Sequence, residues 1–180
     1  LRYGRRSAEL PSSLLQFAAD KKPVVVWNCT PACNLKCRHC YAAVNGQGEG
    51  ELSTLEAKAM IDDLAAFGCP VLLFSGGEPC LRSDLVELMD YAKSRGIRVV
   101  LSTNGTLITD EWARFLAEEG FLVGVSIDGP RDVHDRYRRD KGGVPTFDRV
   151  IEGIRKMYAH GVEYNLMATI SSAGEGRSRR

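Results

Sequence analysis

Short apolar runs alternate with longer amphipathic ones along this chain. Val24 to Trp27, Val71 to Phe74, Ile97 to Leu101, Leu122 to Ile127 and Tyr164 to Ile170 are apolar and rich in β-branched residues. Runs of that length and composition are expected of buried parallel strands. Helix-length segments lie between them. Ser53 and Glu56 are spaced as a capping box, and Met60, Leu64 and Phe67 follow at helical spacing. Thr146 is placed to N-cap a helix carrying Val150, Ile154 and Met157. Gly68, Gly96, Gly120 and Gly161 each stand between a helical segment and the next strand, where glycine relieves the left-handed position that ends many helices. The repetition predicts βα units, and therefore an α/β fold with a parallel sheet and right-handed crossovers.

The strand ends carry a second regularity. The first strand leads into Asn28 and a cysteine-bearing loop, the second into Ser75-Gly76-Gly77-Glu78, the third into Ser102-Thr103-Asn104-Gly105, and the fourth into Ser126-Ile127-Asp128-Gly129. Ordinary βα turns favour the same residue types. Their recurrence at successive strand ends favours a shared pocket, because parallel α/β folds bind ligands at the carboxyl edge of the sheet. Glycine there lets backbone come close to a ligand.

Composition narrows the class. The 180 residues are 44% hydrophobic and 26% charged, as in a soluble globular domain. A net charge of +1 gives no reason to expect a nucleic acid or an acidic membrane surface as partner. No apolar run approaches the ~20 residues of a membrane span, and the basic N-terminus lacks the apolar core of a signal peptide. Six cysteines without such a signal, half of them clustered, argue for a reducing, cytoplasmic setting over disulfides. Cys69 reads as a small core residue; Cys29 and Cys80 lie close enough to the loops to line a site. His134 and His160 read as surface helix residues, and the arginine-bearing tail 171–180 as disordered.

The sharpest signal is Cys33-Asn34-Leu35-Lys36-Cys37-Arg38-His39-Cys40-Tyr41, with three thiols in eight residues. Structural zinc takes four ligands, usually as two close pairs. Cys29 and His39 lie near enough by count to supply a fourth, but no second C-x-x-C pair exists. Iron–sulfur cubanes normally take four thiolates. Three suggest a cubane with one iron left open to a substrate or cofactor.

The C-x-x-x-C-x-x-C run with its following aromatic, together with Gly76-Gly77-Glu78-Pro79 after the next strand, resembles the radical S-adenosylmethionine (SAM) enzymes. The resemblance runs from about Pro23 to Ile170. It implies a partial parallel (β/α) barrel, here with an N-terminal extension over 1–22, an incomplete core over 23–170 and truncation after the fifth strand. It further implies that Cys33, Cys37 and Cys40 each hold one iron of a [4Fe–4S] cluster, whose fourth iron takes the amino and carboxylate groups of SAM. Reductive cleavage would then give a 5′-deoxyadenosyl radical that abstracts hydrogen from substrate. Gly76, Gly77, Glu78 and Pro79 are implied around the methionine amino group, with Glu78 as its carboxylate acceptor. Ser126 and Arg138 are implied at the SAM carboxylate, Ser102 and Asn104 at ribose or methionine, and Tyr41 beside the cluster or adenine. Asp128 either joins them or caps a turn. His39 falls at a position the family leaves variable and is expected to be an exposed neighbour. A reduced flavodoxin or ferredoxin is implied as electron donor.

The N-terminal stretch and the Ser102-to-Ile108 run are similar to the haem-biosynthesis branch that processes siroheme-derived tetrapyrroles, including the didecarboxysiroheme deacetylase and the haem d1 synthesis protein. Thr30-Pro31-Ala32 departs from the basic residues common there. The segment from Ser126 to Val150 is closer to anaerobic sulfatase maturases, whose substrates are peptides. A non-catalytic iron–sulfur fragment stays open. A dinucleotide-binding domain would need G-x-G-x-x-G after the first strand, where this chain has its cysteines.

Overall fold

The computed structural model describes residues 22–40 and 50–170. Tyr41, the tail 171–180 and all of the N-terminal extension except Lys22 lie outside the described residues. Five strands and five α-helices follow one another as β1 Val25–Thr30, α1 Thr54–Phe67, β2 Val71–Gly76, α2 Leu85–Ser94, β3 Arg98–Thr103, α3 Asp110–Glu119, β4 Leu122–Ser126, α4 Arg131–Tyr137, α5 Phe147–Ala159 and β5 Tyr164–Met167. The strands pair in chain order, all parallel. This is the α/β architecture expected, an open sheet consistent with a partial barrel.

Alternation along each strand separates two faces. Leu72, Phe74, Val99, Leu101, Val123 and Val125 point to the core that the helices cover with Ile61, Leu88, Met89, Leu116, Val150 and Met157. On the other face Val26, Leu73, Val100 and Leu122 stand in one register row. Toward the carboxyl edge that face turns polar, with Asn28 opposite Ser75 and Ser102 opposite Gly124. The polar end of the inner face is where the cavity lies.

Local signals account for most of the element ends. Ser53 and Glu56 form the reciprocal capping box, and Gly68 closes α1 with φ 82. The buried stripe of α1 is centred on Ala57 and Ile61, one step around from the larger residues expected, and Phe67 is left at its margin. β1 runs on to Thr30 because it pairs with Gly76 across an irregularity after Asn28. Thr146 precedes α5 but does not cap it with its side chain. Asp135 Oδ1 instead accepts from the Thr146 and Phe147 amides, at 3.0 and 2.9 Å. Among the described residues no helix is long and apolar enough to cross a membrane.

Candidate functional site

A cavity of about 540 Å³ opens at the carboxyl ends of all five strands, a volume typical of small-molecule sites (~300–1,000 Å³). The loop after β1 contributes Cys33, Cys37 and Cys40; β2 contributes Ser75, Gly76 and Gly77; β3 contributes Ser102, Thr103 and Asn104. Ser126 comes from the end of β4, Arg138 follows α4, and Met167 to Thr169 close the far side. The loop thus shares one pocket with the small and polar strand ends.

The cysteine loop is held on three sides. Gly77 and Glu78 donate backbone N–H groups to the Thr30 and Ala32 carbonyls, both at 2.8 Å. A Cβ on Gly76 would stand 2.4 Å from the Thr30 oxygen, and one on Gly77 2.1 Å from that of Ala32. The two glycines are therefore demanded by the contact between the end of β2 and the cysteine loop. On the opposite side Lys36 and Arg38 donate backbone N–H groups to the Arg139 and Tyr137 carbonyls at 2.8 and 2.9 Å. Below, Asn34 accepts from Asn104 Nδ2 and donates to Thr106 Oγ1, each at 2.8 Å. Thr106 Oγ1 donates in turn to Asn104 Oδ1 at 2.6 Å, which closes the triangle.

Held in this way, the loop grades its thiols from buried Cys33 through half-buried Cys37 to exposed Cys40. Burial pushes the Cys37 thiol up to about 11 and raises that of Cys33 against the Leu35 amide. Cys29 belongs to the hydrophobic core, where burial pushes its thiol up to about 12. Cys80 sits behind the end of β3, with Sγ 3.9 Å from Thr103 Oγ1. Neither lines the cavity, so the fourth zinc ligand considered for Cys29 is not at hand. Among the described residues no three His, Cys, Asp or Glu side chains are gathered around a single-ion point.

Glu78 does not line the cavity. Its side chain is 0% exposed and lies behind the cavity wall. It accepts from Thr103 Oγ1 and the Asn104 amide, both at 2.7 Å, and from the Cys80 amide at 3.2 Å. Burial pushes its carboxyl up against those three hydrogen bonds. Pro79 is buried too and opens the short 3₁₀ turn Pro79–Leu81. The motif therefore offers the cavity its glycine backbone, while the carboxylate organises the end of β3.

Arg138 lines the cavity as expected, and Asp128 stands behind it. Nε and Nη2 of Arg138 donate to the two Asp128 oxygens at 2.7 and 3.1 Å, a side-on fork. The Thr169 amide donates to Asp128 Oδ1 at 2.9 Å. Burial would raise the Asp128 carboxyl; the Arg138 hydrogen bonds, the Thr169 amide and the guanidinium charge outweigh it and hold it below its ordinary value. Nη1 has no partner among the described residues, so the end-on edge of the guanidinium stays available to a carboxylate. His39 is half-buried rather than exposed: it lines the cavity, 3.5 Å from Asp128 Oδ2. His134 departs further, being 0% exposed.

The radical SAM superfamily pattern matches residues 27–173. The chain belongs to the radical SAM superfamily. It is 56% identical over 173 residues to the Fe-coproporphyrin III synthase of Methanosarcina barkeri, covering 95% of this chain and 43% of that protein. It is 39% identical over 171 residues to a serine-type anaerobic sulfatase-maturating enzyme of Bacteroides thetaiotaomicron, covering 86% and 41%. Among solved structures, native anSMEcpe with bound AdoMet (SAM) superposes with a TM-score of 0.75 at 30% identity, over 84% of this chain and 45% of that one. The chain thus spans less than half the length of these relatives. The family's cofactors are a [4Fe–4S] cluster and SAM, and the donor set suits both. Three cysteines border one cavity, glycine backbone enters it, and one arginine presents an unused edge. The missing cue for Glu78, Asp128 and His134 is burial, which spacing does not reveal.

Proposed function

We propose that this chain is the cofactor-binding core of a radical SAM enzyme acting on a siroheme-derived tetrapyrrole in haem biosynthesis. The observation that carries the reading is one cavity in which three cysteines of the loop after β1 face the ends of β2, β3, β4 and β5. Cys33, Cys37 and Cys40 would hold three irons of the cluster, leaving the fourth to SAM. Bound together, cluster and SAM supply one-electron reductive cleavage and hydrogen abstraction, chemistry that belongs to the cofactors.

The chain's own residues bind, orient and exclude water. Arg138 offers its end-on edge to the carboxylate of the methionine moiety, and Ser126 lines the same cavity from the end of β4. Gly76 and Gly77 present backbone to the amino group. Ser102 and Asn104 face the same space from β3 and supply polar contacts to ribose or methionine. Asp128 and Glu78 serve from behind, the first by fixing Arg138, the second by fixing the Asn104 loop. Tyr41 is assigned to the cluster or adenine by family alone. The core, over 23–170, continues in a longer protein that works in a reducing cytoplasm with a reduced flavodoxin or ferredoxin as electron donor.

Identity of 56% to a protein named Fe-coproporphyrin III synthase favours a tetrapyrrole. Likeness to the maturase and to anSMEcpe supports a peptide as the second reading. The test is to incubate the reconstituted, reduced full-length protein with SAM and either a siroheme-derived tetrapyrrole or a serine-containing sulfatase peptide. Tetrapyrrole consumption matched by 5′-deoxyadenosine supports the first reading; modification of the peptide alone overturns it.

A further inference from the structure

His134 sits in the charged segment after β4 and has no role in the site as described, yet no other polar residue among those described is more deeply placed. Its ring lies against Phe147, with centroids 5.7 Å apart. Nδ1 accepts the Asp128 backbone N–H at 3.3 Å, so the ring proton stands on Nε2. Nε2 lies 3.0 Å from Thr146 Oγ1 and donates to it. Thr146 Oγ1 passes the sequence on by donating to the Arg138 carbonyl at 2.8 Å. The Arg138 amide donates to the His134 carbonyl, also at 2.8 Å.

One imidazole therefore ties together the main chain of Asp128 and the main chain of Arg138. Their side chains meet separately in the side-on fork. Asp135 adds the last tie: by capping α5 through the Thr146 and Phe147 amides it fixes the hydroxyl that His134 reaches. The segment from Ser126 to Thr146 thus becomes one hydrogen-bonded bracket whose cavity-facing product is the Arg138 guanidinium.

We propose that His134 and Thr146 are positioning residues that set the direction of Arg138, and through it the affinity of the cavity for the carboxylate of its ligand. This rests on the reading of the cavity as a SAM site. The bracket constrains Arg138 at both ends, at its carbonyl through Thr146 and at its guanidinium through Asp128. Loss of the hydroxyl releases the Arg138 carbonyl between neighbours that the cysteine loop still holds, so that peptide can turn and the fork can shift with Asp128 away from the ligand. The neutral imidazole suits this task because it needs one acceptor and one donor nitrogen; burial, followed by the Arg138 charge, lowers its pKa and keeps that form.

The test is calorimetric binding of two ligands to the cluster-loaded, unreduced full-length protein: SAM, which has the carboxylate, and 5′-methylthioadenosine, which lacks it. Thr146→Val, of similar shape without the hydroxyl, should weaken SAM binding about tenfold and leave methylthioadenosine unchanged. Thr146→Ser should restore SAM affinity, and His134→Asn, too short to reach Thr146, should reproduce the defect. Iron content should match wild type in all three. Equal loss of both ligands would show a merely structural role and overturn the inference. Unchanged SAM affinity in Thr146→Val and His134→Asn would overturn it as well. Absence of SAM binding in loaded wild type would instead overturn the reading of the cavity, and the inference with it.

Discussion

The ends of β2 and β4 each carry a carboxylate two residues past the strand, and the two behave in opposite ways. Glu78 is fully buried among neutral donors, Thr103, Asn104 and Cys80. Asp128 is forked onto a guanidinium. Burial acts upward on both carboxyls. It prevails at Glu78 and is overcome at Asp128 by the charged partner, since opposite charge favours ionisation more than neutral hydrogen bonds do. One carboxylate shapes a neighbouring loop; the other holds a cation in place. Neither lines the cavity; each instead holds residues that do.

Asp128→Asn should break this comparison most severely. It sets an amide against donors on Arg138 and leaves that cation without its counter-charge, at a cost of roughly 3 kcal/mol, the low end for a buried pair because Arg138 borders the cavity. Thermal or denaturant unfolding reads the loss. Gly77→Ala should come next. Its Cβ meets the Ala32 carbonyl at 2.1 Å, and relieving that overlap costs about 1–3 kcal/mol. Because the displaced backbone is the cysteine loop, iron content after reconstitution should fall with stability. A Gly77→Ala variant with full iron and an unshifted melting curve would show that the glycines do not anchor the loop.

Glu78→Gln should be milder, about 1 kcal/mol, since an amide keeps the acceptor for Thr103 and Cys80 and conflicts only with the Asn104 amide. The smallest effect is also the sharpest contrast. The folded pKa of Glu78 lies above its ordinary 4.5, so its stabilising contribution is full below that value and lost as pH rises through the folded pKa. That of Asp128 lies below its ordinary 3.8, so its contribution is present above 3.8 and lost as pH falls. The stability deficit of Glu78→Gln should therefore shrink from acid toward neutral pH, and that of Asp128→Asn should grow. Parallel pH profiles for the two variants would mean that the carboxylates share one role.

Much of the fold was legible because its signals are local. The Ser53–Glu56 box and the glycine stops act within a few residues, and apolar runs mark strands wherever a sheet is covered. The cavity was legible for a related reason: parallel strands place their carboxyl ends together whatever the detailed packing. Side-chain direction was not. Thr146 has the residue type of an N-cap, yet its hydroxyl serves His134 and Arg138, and Asp135, eleven residues earlier, takes the capping role. His134 looks like a surface residue in a charge-dense segment, but α4 turns it onto Thr146 and Phe147. Gly76 and Gly77 do line the cavity, but their close approach to the Thr30 and Ala32 backbone was not foreseen. Each reassignment depends on partners far along the chain, which periodicity cannot supply.

The central claim is that Cys33, Cys37 and Cys40 of one loop, and not Cys29 or Cys80, hold an open cluster that acts on SAM. Its most direct test is anaerobic reconstitution of the full-length protein with iron and sulfide, then reduction in the presence of SAM, with iron and 5′-deoxyadenosine quantified in wild type, Cys37→Ala and Cys29→Ala. Any auxiliary cluster outside this loop adds a constant background to the iron count. The account predicts that Cys37→Ala binds about four fewer irons than wild type and releases no deoxyadenosine, while Cys29→Ala keeps both. Deoxyadenosine release that survives Cys37→Ala, or that requires Cys29, would contradict it.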